Sequence, residues 1–130
     1  MEFTVKGKEK KLNFGVRFAA ELDESEKYKV EGIEFGMGLM LAEQKLGMGS
    51  LGSLATIIKC ALHRENVTLD EVYDELDVLA EKDVLDVLFE KIGNELKNSV
   101  AVRAARTQME KNSKEANRKQ GVQAVKPTTK

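Results

Sequence analysis

One histidine, one cysteine, one proline and no tryptophan occur among the 130 residues, and each scarcity removes a class of function. A lone Cys60 cannot close an intramolecular disulfide, so nothing asks for an oxidising compartment, and the residue reads as a small buried apolar side chain. Cys60 and His63 fall three apart on a predicted helix and could face one ion. Zinc takes three or four ligands, however, and the chain has no other Cys or His to complete the set. As a nucleophile pair they project side by side from one helix, with no orienting acid or oxyanion donor implied. An aspartate-rich loop with the EF-hand glycine is also missing, which argues against calcium. No catalytic residue, metal ligand or cofactor site is predicted, and the chain reads as a non-enzyme. Long apolar runs are absent too: none approaches the roughly 18 residues of a membrane span. The opening Met1-Glu2-Phe3-Thr4-Val5-Lys6 lacks the basic-then-apolar layout of a signal peptide, so the expectation is a cytoplasmic protein with no membrane partner.

What the chain does have is globular composition, 42% apolar and 33% charged, in a length that suits one domain. The net charge of −1 hides an asymmetry. Residues 100–130 hold eight cations against two carboxylates, net +6, which leaves thirteen cations and twenty carboxylates, net −7, in residues 1–99. The division predicts a globular α+β body over 1–99 and a basic, partly helical tail over 100–130 ending in a mobile segment.

Glu2–Lys6 and Lys11–Phe14 alternate apolar and polar residues around Gly7-Lys8-Glu9-Lys10, the pattern of a β-hairpin whose Phe3, Val5, Leu12 and Phe14 need a cover. Residues 16–26 show a short helical period, with an acidic end that opposes the helix dipole and is expected to fray. Residues 28–35 alternate again, as a third strand or an extended connection. Phe35-Gly36-Met37-Gly38 recurs as Leu46-Gly47-Met48-Gly49 around a helix-like stretch from Leu39 to Lys45, with Gly47 as its expected stop. Ser50 reads as the N-cap of a central helix reaching about His63 and carrying a wide apolar stripe. Thr68-Leu69-Asp70-Glu71 is a capping box, and Asp83 is the expected cap of the helix whose buried face is Leu85, Leu88, Phe89, Ile92 and Leu96. Beyond Ser99 helix propensity holds to about Lys119, with Gly121 as a stop.

Two features test for chemistry. Gly47-Met48-Gly49-Ser50-Leu51-Gly52 matches the dinucleotide fingerprint G-x-G-x-x-G, with Asp70 at a suitable distance, but the motif needs a preceding strand where Leu39–Lys45 reads as helix. An interhelical turn is the better reading. The basic tail suggests phosphate neutralisation, yet it lacks any aromatic for base stacking and adjoins an acidic body, so nucleic acid is the less favoured partner. A protein surface fits better: Val102, Ala105 and Met109 can form an apolar ridge flanked by Arg103 and Arg106, and removing residues 100–130 is expected to leave the body folded.

The "KLNFG" run leading into "FAAELD", together with "GIEFGMGL" at residues 32–39, resembles the tail assembly chaperones of long-tailed phages and prophages of Gram-positive bacteria. The similarity extends over residues 1–98. It implies a non-virion helper that binds the tape measure protein, and the tail tube protein as a further candidate, during tail morphogenesis in the bacterial host cytoplasm. It also implies a short form that ribosomal frameshifting can extend. The expectation is therefore a mostly α-helical single α+β domain with an N-terminal β-hairpin and a basic helical C-terminal tail, acting as a chaperone by transient protein binding. Homo-oligomerisation is left open, and a small regulatory nucleic-acid-binding protein using the tail is the alternative.

Overall fold

An antiparallel hairpin opens the fold, with β1 (Glu2–Val5) and β2 (Lys8–Lys11) paired so that Phe3 faces Lys10 and Val5 faces Lys8. The computed structural model describes residues 1–27 and 36–112 of the chain, and the expected third strand at 28–35 lies outside the described residues. The hairpin was anticipated, but with β2 starting too late. Lys6 and Gly7 both hold positive φ, as a two-residue type I′ turn requires, so the polar run Lys8–Lys11 is itself the strand. Leu12 extends the ladder by donating its N–H to the Met1 carbonyl at 3.0 Å, and the Asn13 N–H reaches the Ala61 carbonyl at 2.9 Å. Phe3, Val5 and Leu12 are buried, and β1 packs on helix α4 (Leu69–Glu81), which supplies the cover the hairpin needs.

The core centres on α3 (Leu51–Ala61), where Leu54, Ala55, Ile57, Ile58 and Ala61 are buried on a face wide enough to meet α1 (Val16–Lys27), α2 (Met37–Gly47) and α4. Ser50 caps it as its sequence predicts, accepting the Ser53 N–H at 3.1 Å, and the Ser53 hydroxyl donates to the Ala42 carbonyl at 3.0 Å, tying α3 to α2. The stop of α2 is a Schellman motif: the Gly49 N–H bonds the Leu46 carbonyl and the Ser50 N–H the Lys45 carbonyl. The left-handed residue is Gly49, at φ 83°, and not Gly47, which stays helical. The run that matches G-x-G-x-x-G is thus the helix-to-helix turn expected of it, between α2 and α3, with no strand leading into it.

Thr68 and Glu71 form the predicted capping box at the start of α4. Asp83 does something else than expected. It is the left-handed residue, φ 57°, of a second Schellman motif in which the Val84 N–H bonds the Leu79 carbonyl, and the following helix α5 (Leu85–Asn98) has no side-chain cap. A non-glycine residue in this conformation is strained by roughly 1–2 kcal/mol, and Asp83 is exposed, so Asp83→Gly is expected to raise the melting temperature by a few degrees. A thermal melt by circular dichroism checks this; an unchanged or lowered midpoint contradicts it.

The acidic end of α1 does not dangle. The buried Asp23 carboxylate accepts the Gly36 N–H at 3.0 Å and the Leu39 N–H at 2.9 Å, capping α2 from a neighbouring helix where Gly36 has no side chain to do so. Glu26 is buried and pairs with Lys45 at 3.0 Å. Gly38 makes this junction close-packed: a Cβ there would lie 2.3 Å from the Asp23 carbonyl oxygen. Asp23 of the "FAAELD" run and Gly38 of the "GIEFGMGL" run therefore meet at one contact.

Candidate protein-docking surface

Residues 100–112 form a sixth helix, α6, and its first turn is set by Ser99. The Ser99 hydroxyl donates to the Phe14 carbonyl at 2.7 Å and accepts the Val102 N–H at 3.1 Å, so one side chain caps α6 and fastens its start beside the start of α1. At the other end the Met109 side chain lies over Gly36, where a Cβ would come within 2.8 Å of its Cγ. Between them Val102 is 0% exposed within the core, and Arg106 pairs with Glu43 of α2. Helices α1 and α6 consequently run side by side in the same direction.

They do not close on each other. A solvent-open trough of about 450 Å³ separates them, walled by Val16, Ala19 and Ala20 of α1 and by Ala101, Ala104 and Ala105 of α6, with Leu39 on its floor. Both walls follow helical spacing, i, i+3 and i+4, so each helix turns one stripe of small residues into the trough. Val16 at the mouth is 78% exposed, uncovered apolar surface at the edge of the trough.

The predicted ridge is divided by this arrangement. Ala105 and Met109 line the trough, Arg103 is exposed on the far side of α6, and Arg106 is occupied by Glu43. Val102 points the opposite way, into the protein, because its side chain completes the core rather than the surface. The α1 wall was missed in the sequence, although Val16, Ala19, Ala20 and Asp23 stand at i, i+3, i+4 and i+7. Residues 113–130 of the basic tail lie outside the described residues.

The family model for the phage tail assembly chaperone protein matches residues 2–111, nearly the span of hairpin and six helices just described. The chain belongs to the phage tail assembly chaperone family. That kind of protein is not known to be catalytic. No curated protein and no solved structure matched the chain. The match includes α6, so in this tail assembly chaperone both walls of the trough lie within the family's span.

Chemically the surface offers apolar burial. Among the described residues no group of three or more His, Cys, Asp or Glu is arranged to hold a metal ion, and no helix is long and apolar enough to cross a membrane. Cys60 is buried on α3, and His63 lies beyond that helix's end. Both His63 ring nitrogens are buried without a hydrogen bond. Burial first, then the Arg17 and Arg64 charges, push its pKa below the usual 6.5, with Glu21 opposing. Elsewhere Glu71, held by Lys6 at 2.7 Å and by the Thr68 N–H at 2.9 Å, has its pKa lowered from 4.5 to about 2.

These shifts set two pH windows. The folded state resists protonating His63, so the unfolded chain binds more protons below about pH 6.5 and stability falls as pH drops through that point. Glu71 contributes stability that is intact above pH 4.5 and drains away as pH falls toward about 2. Denaturant midpoints measured from pH 7.5 to 3 should therefore decline in two stages, and His63→Asn should flatten the first stage only. An upper stage unchanged in that variant contradicts the assignment.

Proposed function

We propose that this tail assembly chaperone is a non-catalytic factor that works in the host cytoplasm by transiently holding the tape measure protein, the tail tube protein, or both, and that the α1–α6 trough is where a client segment sits. The open apolar trough carries the reading: a highly charged domain that leaves two small-residue helix faces unclosed has a place for an incoming apolar stripe. Ala105 and Met109 of the expected site keep a part in it, Val102 acts by anchoring the wall, and Arg106 by its pair with Glu43, while Arg103 stands on the far side of α6. Nucleic-acid binding through the tail is weakened as an alternative, since Glu43 already engages one of its cations.

The test is co-expression of the tagged chaperone with each tail protein. Ala104 is exposed, so Ala104→Glu should leave the fold intact while placing a charge in the trough. Recovery of the client is expected to fall about tenfold or more, the loss for a charge buried without a partner. Undiminished recovery would contradict this site.

A further inference from the structure

The hairpin leaves one edge open beside an apolar floor. Across the two-residue Lys6-Gly7 turn, Val5 and Phe3 exchange their backbone bonds with Lys8 and Lys10, and Met1 accepts from Leu12. Glu2 and Thr4 therefore turn their N–H and C=O groups the other way, and none of these four groups has a hydrogen-bond partner among the described residues. The opposite edge is defended: β2 is four consecutive charged residues, a composition that discourages a further strand.

Along the β1 edge runs a groove of about 420 Å³ that no residue of β2 lines. Its floor is one stripe of α4, Glu75, Leu79 and Lys82 at i, i+4 and i+7, and the start of α5 with Val84, Val87 and Leu88. A helix laid here would leave the four backbone groups of β1 to water. A strand at the ladder spacing of about 4.8 Å pairs them and turns alternate side chains onto Leu79 and Leu88. The β1 of a second copy cannot be that strand, because α4 and α5 project beneath its position and two such floors would overlap.

The groove also has an electrical direction. The Lys6–Glu71 pair fixes α4 beside the hairpin turn, and from there the helix runs back along β1, so Glu75 stands toward the turn and Lys82 toward the start of the strand. Neither forms an ion pair among the described residues. Helix α5 begins at the Lys82 end without a side-chain cap, so its first N–H groups favour an anion there too. Lys91 adds a cation on the α5 wall.

We propose that this groove is a second docking site, separate from the trough, that binds an extended segment of another protein by adding it antiparallel to β1. The segment turns apolar side chains to the floor and carries a cation at its N-terminal end, beside Glu75, and a carboxylate at its C-terminal end, beside Lys82. Antiparallel pairing is the more stable per residue and lets Glu2 and Thr4 each close a bonded pair. Helix α3 packs between α1 and α4, so a client in the trough leaves the groove free.

Three designed heptapeptides of alternating Val and Thr separate the parts. The first has Lys at its N-terminal and Glu at its C-terminal end, the second has these charges exchanged, and the third is the first N-methylated at the two amides that would donate to Glu2 and Thr4. Each is titrated into the full-length ¹⁵N-labelled chain. The first should protect the Glu2 and Thr4 amides from hydrogen exchange, shift those of Leu79 and Val87, and bind about three- to tenfold more tightly than the second, the scale of two exposed ion pairs exchanged for repulsions. The methylated peptide should not bind. Thr4→Pro removes an outward N–H and no β1–β2 bond, so it should keep the fold and lose the peptide. Glu75→Lys combined with Lys82→Glu leaves the strand untouched and should invert the charge preference. Equal affinities for the first two peptides, binding of the methylated one, shifts that map to the trough, or no shift with any peptide overturn the proposal. Glu2 and Thr4 amides already protected in the chain alone overturn it as well, since the chain would then fill its own edge.

Discussion

Gly38→Ala is expected to destabilise the protein by about 3 kcal/mol or more, the upper range for overpacking a rigid contact. The added methyl would meet the Asp23 carbonyl oxygen at 2.3 Å, and that oxygen belongs to the backbone of α1, which cannot swing aside. To make room, α1 must move away from α2, and the Asp23 carboxylate then loses the two N–H groups it caps. Gly47→Ala is the control. It lies on the same helix with nothing within 4 Å of its added Cβ, and exchanging Gly for Ala in a helix is neutral or favourable by up to about 1 kcal/mol. Thermal melts should place the first variant on the order of 10–20 °C below wild type and the second at or slightly above it. Two variants that melt together would mean that the α1–α2 junction is looser than described.

Val102→Asp is expected to cost at least about 3 kcal/mol, since a carboxylate would be buried with no partner among apolar neighbours. It should also lose client, because α6 is one wall of the trough and cannot pack with a charge beneath it. The contrast with Ala104→Glu is informative: both put an acid on α6, yet only the inward position should lower stability. Urea midpoints together with client recovery distinguish them. If Val102→Asp keeps the wild-type midpoint, α6 is not part of the core. The same burial revises the expectation that residues 100–130 can be deleted with the body left folded. Such a deletion removes Val102 together with Ala101 and Ala105, which pack against the core, so it tests folding and binding at once.

The helices were legible because burial imposes a 3.6-residue period, and Thr68, Glu71 and Ser50 were legible because their caps are local. What escaped were contacts made at a distance or conformations that look ordinary in sequence. Asp23 sits thirteen residues from the Gly36 N–H it serves, so the acidic end of α1 read as a defect when it is the cap of α2. Asp83 fits an N-cap by type, and only its left-handed φ reveals that it closes α4. The strand Lys8–Lys11 has no apolar alternation because Phe3, Val5 and Leu12 on its two sides supply the buried face, which shifted the expected hairpin by several residues. For the site, one wall was recognised in part from Ala105 and Met109. Its partner was hidden because pairing α1 with α6 depends on Ser99 bonding the Phe14 carbonyl, 85 residues away.

The most direct test of the trough as a client seat is site-specific photo-crosslinking in the co-expressed complex, with a benzophenone side chain placed in turn at Ala20, Ala104 and the exposed Val87 of α5. Crosslinks to the tape measure or tail tube protein from Ala20 and Ala104, with none from Val87, are the predicted result. Crosslinks from Val87 alone, or equally from all three positions, would contradict it.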